Sequence, residues 1–193
     1  MTDTSKFLDT ARRVIRIEAD ALTLLADGIG APFAEAVQMI LDAPGRIIVC
    51  GMGKSGHVAR KIAATFASTG TPAHFVHPAE ASHGDLGMMA KGDVALVLSN
   101  SGETPELADV IAHTRRFGIP MAAISSKRNS TLMQAADYKL ILTQAPEACS
   151  IGMAPTTSTT LTLALGDALA VALMERRDFQ PEDFKVFHPG GKL

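Results

Sequence analysis

Neither sign of charge dominates this chain: 18 Lys and Arg face 20 Asp and Glu, a formal net charge of -2 over 193 residues. Without a basic field to draw phosphate backbones or anionic lipid, nucleic acid and membrane surfaces are poor partners. Cysteine is scarce as well. Cys50 and Cys149 stand alone, without the dense, even spacing of a secreted disulfide scaffold, and a reducing cytoplasm fits best. Long apolar runs are also missing: stretches such as 47–50 and 94–98 are long enough for buried strands but not for a membrane span. The opening residues MTDTSKFLDTARRVIRIEAD are charged throughout and show no signal peptide. No repeat, low-complexity stretch or charge block marks a linker, so the length suits a single domain over 1–193.

What is present has a clear rhythm. Apolar residues recur at helical spacing over 5–27 (Phe7, Ala11, Val14, Ile15, Ala21, Leu22, Leu25), and a second helical pattern runs over 32–41 until Pro44-Gly45 stops it. From Arg46 onward, solid apolar runs (RIIVC, AHFV, DVALVLS, PMAAIS, YKLIL) alternate with polar loops and helical stretches. Strands without alternation are buried on both faces, which predicts an α/β three-layer sandwich with a five-stranded parallel sheet flanked by helices. The βα core spans 46–176, its last helix beginning near Pro155, and 177–193 reads as a tail. Ligands in such sheets sit beyond the carboxyl ends of the strands where the order reverses, so the loops after strands one and three are the places to search.

The first loop is Gly51-Met52-Gly53-Lys54-Ser55-Gly56, between a strand and a helix start. Glycines permit unusual φ angles and close approach, amides at the helix start favour an anion, Lys54 adds positive charge and the Ser55 hydroxyl can donate to a phosphate oxygen. Neither nucleotide motif it resembles fits. An ATP loop requires glycine where Ile48 stands, and a dinucleotide fold expects an acid near Val76 and His77. The plain alternative is a glycine turn serving only helix–strand packing. The second loop, Ser99-Asn100-Ser101-Gly102-Glu103-Thr104, gathers three hydroxyls on one turn, with Thr104 placed to cap the next helix. Two such loops on one sheet would bracket a single crevice.

The strings IVCGMGKSGHVARKIAATFASTGTPAHFVHPAEASHGDLGM, LSNSGETPEL and APTTSTTLTLALGDALA, with the ending FHPGG, closely resemble arabinose 5-phosphate isomerases of the sugar-isomerase (SIS) domain family across 45–191. The resemblance implies a flavodoxin-like SIS fold and interconversion of D-arabinose 5-phosphate with D-ribulose 5-phosphate through an enediol, feeding octulosonate synthesis for lipopolysaccharide or capsule. It implies no redox cofactor and a homotetramer with sites between subunits; the apolar surplus of the first helix fits an oligomer. Many members carry paired regulatory domains after the isomerase domain, and this chain ends where those would begin, as a single-domain version or a shortened piece.

The positions matching the family's functional residues are Lys54, Glu106, Glu147 and His188, all four expected to be catalytic, with Lys54 supplying the cation that the developing enediolate charge needs. Glu106 alone would read as an acid offsetting a helix dipole, and Glu103 inside the loop is its rival for the role of base. Glu147 lies in APEACSIGMAP, where partial burial is expected to raise its pKa. His188 is expected to move protons, completing a site in a neighbouring subunit. The expected substrate-binding set is Gly53, Ser55, His83, Ser99, Ser101, Gly102, Glu103, Thr104, Thr156 and Ser158. His77, His83 and Asp85 can be drawn as a metal site, but their spacing matches no zinc rule, and no metal is expected. Two rivals stay open: a sugar-phosphate sensor, which would need only the two loops, and a metal-using isomerase of seven-carbon sugar phosphates such as sedoheptulose 7-phosphate.

Overall fold

The computed structural model describes residues 3–190. Five strands, β1 (Ile47–Gly51), β2 (Ala73–Val76), β3 (Val94–Leu98), β4 (Met121–Ser125) and β5 (Tyr138–Ile141), form one parallel sheet in the order β2-β1-β3-β4-β5. Each of β1, β3 and β4 is buried along its whole length, which accounts for their unbroken apolar sequences. Successive residues face opposite layers. Ile47, Val49, Leu96, Leu98 and Ile124 join one core with α1 (Asp3–Asp27), α2 (Ala31–Asp42), α3 (Gly53–Ser68) and α7 (Thr157–Arg176). Ile48, Cys50, Ala95, Val97 and Ala123 join the other with α4 (Pro78–Ala81), α5 (Ala108–Phe117) and α6 (Thr131–Ala135).

The chain leaves β1 for one edge strand and then returns past it to β3, so the order reverses between β1 and β3. At this reversal Gly51 pairs with Leu98, and the two following loops emerge side by side.

Two elements differ from the sequence reading. α7 begins at Thr157, two residues later than the proline suggested, because the preceding residues are held by side-chain bonds described below. The tail contains α8 (Pro181–Phe187), closed at its start by reciprocal bonds between Gln180 and Asp183; its seven residues are too few to show a period. α7 also has the length and mean hydropathy, 1.4, of a helix able to cross a membrane. Here it is a core helix: Leu161, Leu165, Leu169 and Leu173 are buried, and Gly166 lets α3 approach through Ile62. By contrast α1 keeps Phe7 (72%) and Ile15 (66%) exposed, which gives the apolar surplus of the first helix a definite place.

The glycines of the first loop divide their work. A Cβ on Gly56 would lie 2.6 Å from the Gly51 carbonyl oxygen, so these two set the crossing of β1 and α3, whereas Gly53 faces open space but has φ +57°. Helix–strand packing is thus part of what the loop does. Gly56→Ala is expected to cost about 2 kcal/mol by overpacking and Gly53→Ala about 1 kcal/mol by backbone strain. Urea midpoints should fall in that order; equal midpoints would contradict the packing role.

Candidate functional site

At the carboxyl ends of β1 and β3 lies a crevice of about 350 Å³, lined by Lys54 and Ser55 from the first loop, Ser99, Asn100, Ser101 and Thr104 from the second, and Pro155, Ser158, Thr159 and Thr162 at the start of α7. The two polar turns therefore meet over one space. The amino terminus of α3 opens into it through Lys54 and Ser55, adding unpaired backbone amides to the positive side chain. Beside it, sharing Asn100 and Ser158, is a chamber of about 280 Å³ containing Ser126, Lys127, Thr143, Gln144 and Glu147.

The hydroxyls are not equivalent. Ser99 is buried, accepts from the Gly102 amide at 3.0 Å and pairs with the Thr104 hydroxyl at 2.8 Å. Those bonds build the turn. They also replace the expected cap: Thr104 offers no side-chain bond to the helix that follows. Ser101 accepts from the Glu103 amide at 3.2 Å and keeps its hydrogen for a ligand. Ser158 Oγ is buried without a hydrogen-bond partner among the described residues, although it faces this space. A buried hydroxyl left unpaired costs free energy unless something binds there.

Glu147 is fixed by its own helix. Its Oε2 accepts from the Thr156 amide at 2.8 Å, the Thr156 hydroxyl at 3.1 Å and the Ser158 amide at 3.3 Å, capping α7 across an irregular loop. The Thr156 hydroxyl in turn accepts from the Ala148 amide at 2.9 Å. Burial pushes the Glu147 carboxyl up, but the Ser158 side chain, which acts on the carboxylate without closing a full hydrogen bond, together with the Thr156 and Ser158 amides and the Thr156 hydroxyl, outweighs it and holds the group below its ordinary value. This reverses the expected direction: the environment that buries the carboxylate also supplies its donors. Glu147 is held ionised with Oε1 free of hydrogen bonds among the described residues.

Several expected residues do not enter the single-chain crevice. Glu103 turns away: its carboxylate accepts from the Thr131 hydroxyl at 2.7 Å and amide at 2.8 Å, bonds that lower its pKa, and it serves the start of α6 instead. Gly102, with φ +68°, packs against Ser130 and leaves no room for a Cβ, let alone a ligand. Gly53 sits at the first turn of α3 outside the lining. Glu106 lies on a short 3-10 turn whose Leu107 is buried, which directs the acid to solvent. His83 is exposed beyond α4, and among the described residues no three His, Cys, Asp or Glu converge as a metal site. Thr156 reaches the site only through Glu147.

His188 is at the other end of the molecule. α7 carries the chain away from the crevice, Phe179 just beyond it covers Gly70 after α3, and α8 follows. There His188 stacks on Phe184 at 3.8 Å, with Nδ1 2.8 Å from the Phe184 carbonyl. Sequence reasoning marked the loop of Asn100 without naming that residue as a contact, and missed Ser126, Lys127 and Gln144, whose segments carry no glycine signature, and Thr159 on the first turn of α7.

A family model described as SIS domain matches residues 39–172. The chain belongs to the SIS domain family. This SIS domain is 51% identical, over all 193 residues, to arabinose 5-phosphate isomerase KdsD of Pseudomonas aeruginosa, covering 59% of that protein. It is 48% identical to KdsD of Escherichia coli K12 over 97% of the chain and 57% of that protein. The chain thus spans somewhat over half the length of these relatives. Among solved structures, an E. coli CFT073 protein in complex with arabinose 5-phosphate superimposes with TM-score 0.93 at 38% identity, over 98% of this chain and all of that one. A Vibrio vulnificus NanR protein complexed with ManNAc-6P, 21% identical with TM-score 0.79 over 99% of this chain and 73% of that one, shares the fold.

Because the Glu147 carboxyl is depressed in the folded chain, its charge stabilises α7 above the ordinary carboxylate value of 4.5, and that stability is lost as pH falls through the lower folded value. Glu147→Gln should cost about 0.5 kcal/mol at neutral pH. The gap to wild type should close in acid; a gap that widens there would refute the assignment.

Proposed function

We propose that this SIS domain is an aldose–ketose isomerase, interconverting D-arabinose 5-phosphate and D-ribulose 5-phosphate through an enediol. The observation that carries the reading is the pairing of a donor-rich crevice of about 350 Å³ with an adjoining chamber in which an ionised carboxylate keeps one oxygen free. Lys54, Ser55, Ser101 and the α3 amides hold the phosphate. Ser99 and Thr104 keep the second turn in shape, and Ser158 donates at the seam. Glu147 takes the proton from the carbon next to the carbonyl. Similarity to the KdsD isomerases and to a protein of matching length in complex with arabinose 5-phosphate supports this substrate.

His188 acts across a subunit boundary, since α8 lies at the far end of the sheet and no reach within one chain returns it to the crevice. A homotetramer with shared sites meets that requirement, and the exposed apolar side chains of α1 supply surface for assembly. Glu106, two residues beyond Thr104, and His83 take part at the closed rim of the assembled site. The domain works in the cytoplasm, without a redox cofactor, on the route to octulosonate.

A sensor that only binds sugar phosphate would need the crevice but no fixed carboxylate beside it. With arabinose 5-phosphate in deuterium oxide, the protein should form ribulose 5-phosphate with deuterium exchanged at the second carbon. Saturable binding without product or label would establish the sensor instead. Lys54→Ala, Glu147→Gln and His188→Ala should each lower turnover by about 10² or more while leaving the fold intact. Mixing and reassembling the Glu147→Gln and His188→Ala proteins should recover activity, because some sites then contain both intact groups; no recovery would place both residues in one chain's site.

A further inference from the structure

We propose that Lys127 is the cation that meets the charge developing at the reacting end of the sugar, leaving Lys54 to the phosphate; the assignment rests on the isomerase reading. A sugar phosphate carries two centres of negative charge during this reaction, at opposite ends of its carbon chain. The phosphate is permanent, whereas the enediolate exists only while the proton is in transit. The site offers two lysines in two compartments. Lys54 is grouped with the hydroxyls of Ser55, Ser101 and Thr104, and Lys127 shares its chamber with Glu147.

The chemistry places a cation with that acid. Glu147 Oε1 takes the proton from C2; the C–H electron pair forms the C1–C2 double bond and the carbonyl pair moves onto O1. Negative charge has then passed from the carboxylate to the sugar oxygen. Return of the proton to C1, with transfer of the O2 hydroxyl proton to O1 as the C2–O2 double bond forms, completes the ketose. Throughout, an ammonium beside Glu147 donates hydrogen bonds to O1 and O2 and compensates the charge on whichever group holds it.

Position at that seam is built in. The Asn100 carbonyl accepts from the Ser126 amide at 3.2 Å, the Ser126 hydroxyl at 2.9 Å and the Ser125 hydroxyl at 3.1 Å. Ser125 Oγ also accepts from the Lys127 amide at 3.1 Å. The turn after β4 is thereby stitched to the turn after β3, and the backbone of Lys127 is held where crevice and chamber join. Among the described residues the Lys127 ammonium has no ion-pair partner, so its charge is not spent on another side chain.

The test uses the whole chain and two non-reacting probes that share the phosphate and differ at the reacting end: arabinitol 5-phosphate, neutral there, and arabinonate 5-phosphate, which carries a carboxylate. In Lys127→Met, arabinitol 5-phosphate should bind within about threefold of wild type, while the affinity ratio of arabinonate to arabinitol probe falls about tenfold or more. Turnover of arabinose 5-phosphate should fall about 10² in kcat with little change in KM, and Lys127→Arg should recover part of it. Lys54→Met should weaken both probes alike. An unchanged ratio and unchanged kcat in Lys127→Met overturn the assignment while leaving the isomerase reading in place. A wild-type protein that binds neither probe and turns over no substrate overturns both.

Discussion

The in-register pairing of β1 with β3 is the constraint on which the site depends. Gly51 opposite Leu98 brings the ends of two strands, distant in sequence by the length of a full α/β excursion, to adjacent positions. Each strand then ends in a polar turn, and neither turn alone encloses a ligand. Strand order therefore performs the assembly, and short-range bonds only refine it: Gly51 against Gly56 under the first turn, Ser99 with Gly102 and Thr104 inside the second. The remaining wall comes from α7, which reaches the same edge because its core face is locked against α3.

Helix ends distribute charge around this edge. The start of α3 has no side-chain cap and remains available to an anion from solution. The start of α7 is already neutralised by a residue of the chain itself, Glu147. One terminus thus attracts ligand charge and the other holds a carboxylate in fixed orientation. The contrast gives the site a polarity, with an anion-seeking end at α3 and a fixed negative charge at α7.

Much of this was legible in the sequence, for identifiable reasons. Solid apolar runs announced buried strands because no face of β1, β3 or β4 reaches water. The glycine and serine turns stood out because their composition differs sharply from the strands before them. What stayed hidden depends on partners far along the chain: Glu103 reaches Thr131, Glu147 crosses nine residues to cap α7, and Lys127 is placed through the Asn100 carbonyl. The direction of the Glu147 shift was misread for the same reason, since burial can be foreseen from neighbours but donors folded back from Thr156 and Ser158 cannot. α8 escaped because seven residues give a helix no visible period.

Arg13 on α1 donates to the Ala148 carbonyl at 2.9 Å, gripping the loop immediately after the capping acid. The same helix presents Phe7, Leu8, Ile15 and Leu24 uncovered. Whatever comes to rest on those side chains presses on a rod that is anchored in the core through Ala21 and Leu25 and also tied one peptide unit from Glu147, so a load on the outer face of α1 reaches the loop that orients that carboxylate.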